Sequence, residues 1–532
     1  MSPVVAGTPF VVTLPYLNFQ ISGDDYEYET CLNVVVAGRI VRTETGRGTE
    51  LPHAASFDLS DWLGQEALVE IVGSVRVSDL GLSSTPAVPV VQAPLYREAL
   101  RPQLHFTARQ WAMHRLNPVE REEGWLNDLN GLVFHEGEYH LFAQRWNKCW
   151  IHAVSNDLVH WTELEPAFFE ESLGSGVQSG SCVIDVGNTS GLGESAMVAF
   201  WSRNDNRSQC VSYSLDRGRT WTHYAGNPIM ELPERDPMVF RDDRRGQWVM
   251  VLYGDDRYQL LRSDDLLHWE SLDSSISDSF ECPDFFELAV TGTDETRWVL
   301  VRGDGRYSIG SFDGRTFVEE TSQLQVDGGP NFYATQSWAA GNLRRIQLAW
   351  MRGGRYPNMP FNQQVSLPCD LALHRTPNGL RLYRRPVPEL ANLERTRHTY
   401  PARKLDKPWP VGTAWPLLRI RATLDVPPQA RLTLDICGTR ITATSDTITV
   451  LGSEQPTLTP LRTLDIIADT TSVEIFANDG EASLTACVLP GRYDLTLSGE
   501  NCTVEHLEVI ELDSIWPTVP GERRTRTAAV RQ

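Results

Sequence analysis

"GWLNDLNGLVFHEGEYHLFAQ", residues 124–144, is the stretch on which the fold turns. Asn127, Asp128, Asn130 and Gly131 are short polar residues and a glycine, the types that tolerate a sharp backbone corner. The run that follows breaks at Glu136-Gly137, which predicts two short strands joined as a β-hairpin. A polar turn feeding a hairpin is ordinary architecture. A carboxylate held at its lip, as Asp128 would be, acquires a function only if distant parts of the chain bring partners to it.

Outward from this hairpin, short alternating runs separated by Gly, Asp, Asn and Pro fill the 532 residues, and helical periodicity is nearly absent. The expectation is an all-β chain of several domains. Its middle repeats itself: "AVSNDLVHW" ends at Trp161, "SYSLDRGRTW" at Trp221, "LRSDDLLHW" at Trp269 and "IGSFDGRTF" at Phe317. A strand, an Asp-bearing turn and an aromatic recur every roughly 50–60 residues, the behaviour of propeller-type repeats. Four visible copies, with room on either side, predict a five-bladed β-propeller over 96–395. A Pro-rich linker at Pro86, Pro89 and Pro94 sets off residues 1–95 as a small N-terminal β-sandwich module. From Trp409 the alternation resumes, with a hairpin signal at Asn478-Asp479-Gly480, predicting a C-terminal β-sandwich over 405–518 and a flexible tail at 519–532.

The net charge of −21 disfavours nucleic acid and anionic membranes as partners, because a polyanion is repelled by both. Arginine supplies nearly all the basic charge; the only lysines are Lys148, Lys404 and Lys407. No apolar run is long enough to span a bilayer, and the N-terminus lacks the basic start and apolar core of a signal peptide. The nine cysteines are scattered without a CxxC pair, so neither a zinc site nor a disulfide framework is expected, and a reducing, cytoplasmic location fits. Export with a signal already removed stays open, and so does a homo-oligomer.

Two more carboxylates occupy unusual places. "ELPERDPMVF" sets Asp236 between Arg235 and Pro237, and "SFECPDFFEL" sets Glu281 beside Cys282 and Pro283, each before an apolar strand. Alone, each is most simply a salt-bridged turn. With Asp128 they fall in successive repeats, and a propeller would bring all three to one funnel. Acids crowded together push their pKa values apart, which is the condition for one to donate a proton while another attacks. Glycoside hydrolysis uses such a pair. Trp125, Trp150, Trp201 and Trp338 would suit sugar faces, although packing within the repeats is the plainer role for each.

"WLNDLNG" resembles the Trp-Met-Asn-Asp-Pro-Asn-Gly signature of glycoside hydrolase family 32, which contains invertases, inulinases and levanases. "RPQLHF", "EYHLFAQ", "VSNDLVHW", "SGS" at Ser179–Ser181, "RDP", "ECPDFFEL" and "FYATQSW" occur in that family's order. The resemblance implies a retaining β-fructofuranosidase acting on sucrose or fructans, with Asp128 as nucleophile, Glu281 as acid/base and Asp236 holding fructose hydroxyls. It implies further that Asn127, Gln144, Ser179 and Arg235 line the fructose pocket, with Trp125 at its wall. Leu129 replaces the family's proline, and Gln178, beside the pocket, stands where phenylalanine is common. The stretch 107–123 is longer than the usual connection and is expected to form a loop or short helix at the rim. No metal or organic cofactor is implied. A fructosyltransferase and a carbohydrate-binding protein with a decayed site are the alternatives.

Overall fold

The computed structural model describes residues 2–24, 30–37, 39–88, 96, 98–108, 124–145, 149–169, 175–340, 344–357, 359, 361–412, 415–489, 491 and 494–516. Most of the expected rim segment 107–123, the tail 519–532, Lys148 and part of the linker lie outside them. Among the described residues the only helical elements are three 3-10 turns, at Ser60–Trp62, Pro388–Leu393 and Asn478–Gly480. Everything else regular is β.

Five antiparallel sheets follow one another from 133 to 386, each built round four strands taken in chain order. The first begins at Val133–His135, the second at Val177–Asp185, the third at Arg235–Asp242, the fourth at Asp284–Ala289 and the fifth at Tyr333–Ala340. These five first strands all contribute residues to the lining of one cavity. The hairpin predicted at Glu136-Gly137 is present: His135 pairs with Glu138, and both turn residues have positive φ, 48° and 83°, the geometry that matches strand twist.

The repeated Asp-bearing motif is a turn between third and fourth strands. Asp157 Oδ1 accepts the amides of Val159 and His160 at 3.0 and 2.8 Å, and Asp265 does the same for Leu267 and His268 at 3.0 and 2.8 Å. Asp216 and Asp313 cap the corresponding turns in the second and fourth sheets. The fifth sheet has no such motif. Its third strand, Cys369–Thr376, arrives after an excursion in which Phe361–Asn362 pairs in parallel with Gly124–Trp125. That pairing joins the two ends of the five-sheet unit.

Before this unit, two four-stranded sheets enclose an apolar cluster that includes Leu17, Phe19, Leu32, Val34, Phe57 and Val69. After it, a seven-stranded and a six-stranded sheet enclose a second, centred on Ile420, Leu434, Ile466 and Leu484. The C-terminal sheets are fastened to the five-sheet unit by buried charge. His105 Nδ1 lies 2.8 Å from Asp469, its Nε2 lies 2.9 Å from Glu474, and Arg384 reaches both Glu474 (3.2 Å) and Asp327 (3.3 Å). Burial alone would lower the His105 pKa, but the two carboxylates outweigh it and hold it up at about 9. His105 is therefore an imidazolium at neutral pH, and the cluster is close to charge-balanced.

Candidate active site

The predicted turn at Asn127–Gly131 takes a different form. Residues 127–130 run extended along the second strand of the first sheet: Asn127 N–H donates to Gln144 O (2.7 Å), Gln144 N–H to Asp128 O (2.8 Å), and Asn130 N–H to Phe142 O (2.8 Å). The corner comes only at Gly131, with φ +72°. A Cβ there would meet Cys182 Cβ at 2.5 Å, so glycine lets the first and second sheets close on each other beside Asp128. Leu129 is completely buried and bridges Ala143, so a packed side chain fixes the segment where the family has a proline.

Neighbouring side chains are locked in series. Trp125 Nε1 donates to Asn127 Oδ1 (2.9 Å), Asn127 Nδ2 to Gln144 Oε1 (3.0 Å), and Gln144 Nε2 to Val177 O (3.0 Å). Ser179 Oγ lies 2.8 Å from Asp128 Oδ2 and 3.0 Å from Gln144 Oε1. Trp125 has no exposed surface. Its indole holds the Asn127 side chain. Gln178 is partly exposed; its amide donates to Asn204 Oδ1 (3.2 Å), and its carbonyl accepts from Trp150 (3.1 Å). Trp150, Trp201 and Trp338 are buried in the packing and bond to Gln178 O, Ser212 Oγ and His140 O.

The first strands of the second, third and fifth sheets each shift register near their start, between Val177 and Gly180, Arg235 and Met238, and Tyr333 and Gln336. Such bulges re-aim side chains. They fall on Ser179, on Asp236 and directly after Tyr333. Asp236 (φ 59°), Glu281 (φ 39°) and Cys282 (φ 29°) all hold left-handed backbone, which costs non-glycine residues on the order of 1–3 kcal/mol and clusters at functional sites.

Cys282 ties the acids together. Its N–H donates to Asp236 Oδ2 (2.9 Å), and its thiol is 3.7 Å from both Asp236 Oδ2 and Asp128 Oδ2. Glu281, the preceding residue, accepts from Arg235 on one oxygen and from the Tyr333 hydroxyl on the other. Arg235 also lies 3.7 Å from Asp236 and packs over the Tyr253 ring. The Arg352 guanidinium stacks on Tyr333, 4.8 Å from the ring centre. Asp128, Asp236, Glu281, Arg235, Ser179, Gln144 and Asn127 therefore form one connected network. Tyr333, Cys282 and Arg352 belong to it too, although the sequence reading gave them no role.

Burial pushes Asp236 up to about 7, against the pull of Arg235 and the Cys282 amide. Burial also raises Asp128; the Glu281 charge adds to this, while the Ser179 hydroxyl and Arg352 oppose it. Burial and the surrounding acids keep the Cys282 thiol and the Tyr333 phenol protonated, so both serve as donors. The two buried aspartates are thus drawn toward the neutral form by burial, while Arg235 and the Cys282 amide on Asp236, and Ser179 and Arg352 on Asp128, draw them back. Among the described residues no group of three or more His, Cys, Asp or Glu is arranged to hold a metal ion.

Residues 119–386 match the pattern described as the glycosyl hydrolases family 32 N-terminal domain, and residues 440–511 match the family's C-terminal domain. The chain belongs to glycoside hydrolase family 32. A levanase of Bacillus subtilis is 32% identical over 509 residues, covering 80% of this chain and 72% of that protein. An extracellular exo-inulinase of Aspergillus niger is 28% identical over 498 residues, covering 74% and 90%. In three dimensions the exo-inulinase of Aspergillus awamori superposes with a TM-score of 0.70 at 24% identity, covering 79% of this chain and all of that one. The family 32 chain is a glycoside hydrolase, and the two relatives given above are named as a levanase and an exo-inulinase.

Proposed function

We propose that this family 32 enzyme is a retaining β-fructofuranosidase that removes terminal β-D-fructosyl units from sucrose or from inulin- or levan-type fructans. The observation that carries the reading is the bridge at Cys282, which touches Asp128 and Asp236 while its neighbour Glu281 is clamped by Arg235 and Tyr333. In the first step an Asp128 oxygen bonds to the anomeric carbon as the glycosidic C–O bond breaks, and Glu281 gives its proton to the departing oxygen. In the second, Glu281 takes a proton from water, the water oxygen bonds to the anomeric carbon, and the Asp128 ester bond breaks to release fructose. Asp236 holds sugar hydroxyls, and Asn127, Gln144, Gln178, Ser179 and Arg235 line the fructose subsite.

This reading takes the five sheets as propeller blades within a catalytic domain at 96–395, followed by a sandwich at 405–518. Residues 1–95 are read as an added β-sandwich module.

The test is fructose release from sucrose, inulin and levan by wild type, Asp128→Asn and Glu281→Gln. Each variant should lose several powers of ten, since nucleophile and acid/base act as a unit. Wild-type rates in either variant would end the assignment. Double displacement further predicts that proton NMR sees the β-anomer of fructose before mutarotation; initial release of the α-anomer would rule it out.

A further inference from the structure

Beyond the acids, the five first strands continue and line a cavity of about 500 Å³. Its head is crossed by the Gln336 side chain, which accepts from Gly131 N–H (2.6 Å) and donates to Gly180 O (2.8 Å). That amide ties the fifth sheet to the first and second, next to the residues that carry Asp128 and Ser179. None of Asp128, Asp236 and Glu281 lines the cavity. Its far end is wet, because Asp243, Arg244, Arg245 and Ala339 are exposed there. One axis therefore carries two chambers, and the chemistry occupies only the first.

The lining of the second chamber states what it can hold. Its charges cancel: Arg245 pairs with Asp242 (3.1 Å), Arg244 with Glu287 (2.8 Å) and Arg241 with Asp243 (3.8 Å), and Arg345 balances Asp284. An ion entering a chamber of zero net charge would shed water with no counter-charge to replace it, so a neutral guest is favoured. Phe134, Phe240 and Trp298 are partly exposed in the wall and offer flat apolar faces. Polar capacity is left over beside them. Arg345 makes no ion pair among the described residues, and its hydrogen bond to Ser337 Oγ is long, at 3.5 Å. Asp284 uses Oδ2 to accept from Ser337 (2.7 Å), and the buried Nη1 of Arg241 has no hydrogen-bond partner among the described residues. Flat apolar faces beside unspent donors and acceptors, in a volume typical of small-molecule sites, fit a polyhydroxylated ring.

We propose that this second chamber is a saccharide-binding site, separate from the catalytic pocket, which takes a neutral di- or trisaccharide between the aromatic wall and the side chains of Arg345 and Asp284. The test counts sugars per chain by calorimetry in the full-length Asp128→Asn protein, with sucrose and a linear fructose trisaccharide as probes. Two are expected. Adding Ala339→Trp, which fills the mouth from an exposed position, should leave one tight sugar and weaken the second by about tenfold or more, with sucrose hydrolysis by the Ala339→Trp single variant unchanged. Trp298→Leu should weaken the same site without blocking it, and circular dichroism checks that both variants fold. A count of one, or a count of two that neither variant alters, overturns the proposal. So does citrate binding in the chamber in preference to sugar. Undiminished turnover by Asp128→Asn would fault the catalytic assignment alone and leaves the Ala339→Trp comparison to decide the second site.

Discussion

In the proposed mechanism Asp128 must be anionic to attack, yet burial and the Glu281 charge raise its pKa above the ordinary 3.8. A raised pKa means that the attacking form is lost earlier on acidification, so the acid limb of kcat/KM should lie above that value. Arg352 works in the other direction, favouring the anion. Arg352→Gln should therefore move the acid limb to higher pH; a limb that stays put or moves down would show that Arg352 does not act on Asp128. Tyr333 makes a different contribution, donating to the Glu281 carboxylate. A hydrogen bond to a charged group is worth about 1.5–3 kcal/mol, so Tyr333→Phe should lower kcat roughly 10- to 100-fold with little change in KM. A loss confined to KM would make Tyr333 a sugar contact instead of a positioning residue. At this scale the three acids stood out only jointly: each alone reads as a polar or salt-bridged turn, and their shared place before an apolar strand, with the family-like wording around them, singles them out. Tyr333 and Cys282 did not, since a tyrosine or a cysteine before an apolar strand is most simply read as core. Trp125 was recognised, but a sequence does not show that its indole holds the Asn127 side chain.

Among elements, the first strands do the positioning, and their bulges are what a sequence hides. Alternation predicts which residues share a face, but one inserted residue reverses the assignment. Thus Gln178 and Ser179 could be placed near the site, whereas which of them points at Asp128 follows only from the register shift at Val177–Gly180. The Asp-capped turns were legible because the Asp side chain itself makes the turn, through Asp157, Asp216, Asp265 and Asp313. The fifth sheet was not, because its turn at Thr376–Gly379 uses other residues and its third strand comes from a distance. The first and second sheets approach each other closely at Gly131. Gly131→Ala, with positive φ and a Cβ 2.6 Å from Cys182 N, should cost about 1–3 kcal/mol and lower activity as well, because the displaced strand carries Ser179. Urea denaturation beside fructose release checks this; normal activity at reduced stability would show that the first two sheets adjust without disturbing the site.

For the molecule as a whole, the charged cluster around His105 sets the pH range of stability. The His105 pKa is raised from 6.5 unfolded to about 9 folded, so its contribution is complete below about 6.5 and is lost as pH rises toward 9. The urea midpoint should fall over that window in wild type. His105→Gln should flatten the fall and cost about 3–5 kcal/mol at neutral pH, because Asp469 and Glu474 would stay buried with less to balance them. A variant as stable as wild type at pH 7 would mean that the cluster is not what fastens the C-terminal sheets. The sequence displayed "RPQLHF" plainly, but nothing near position 105 indicates that its counter-ions come from positions 469 and 474.

The parallel pairing of Gly124–Trp125 with Phe361–Asn362 has a consequence in time. A ribosome adding about 5–20 residues each second makes Asp128 roughly 10–50 s before it makes Asn362. Through that interval Gly124–Trp125, which lead into Asp128, lack the strand that pairs with them. Each new molecule thus passes through a period in which all three acids of the proposed site are made but the pairing at Gly124–Trp125 is not. A messenger truncated between residues 281 and 361 yields a chain that carries all three acids of the proposed site but lacks the strand that pairs with Gly124–Trp125.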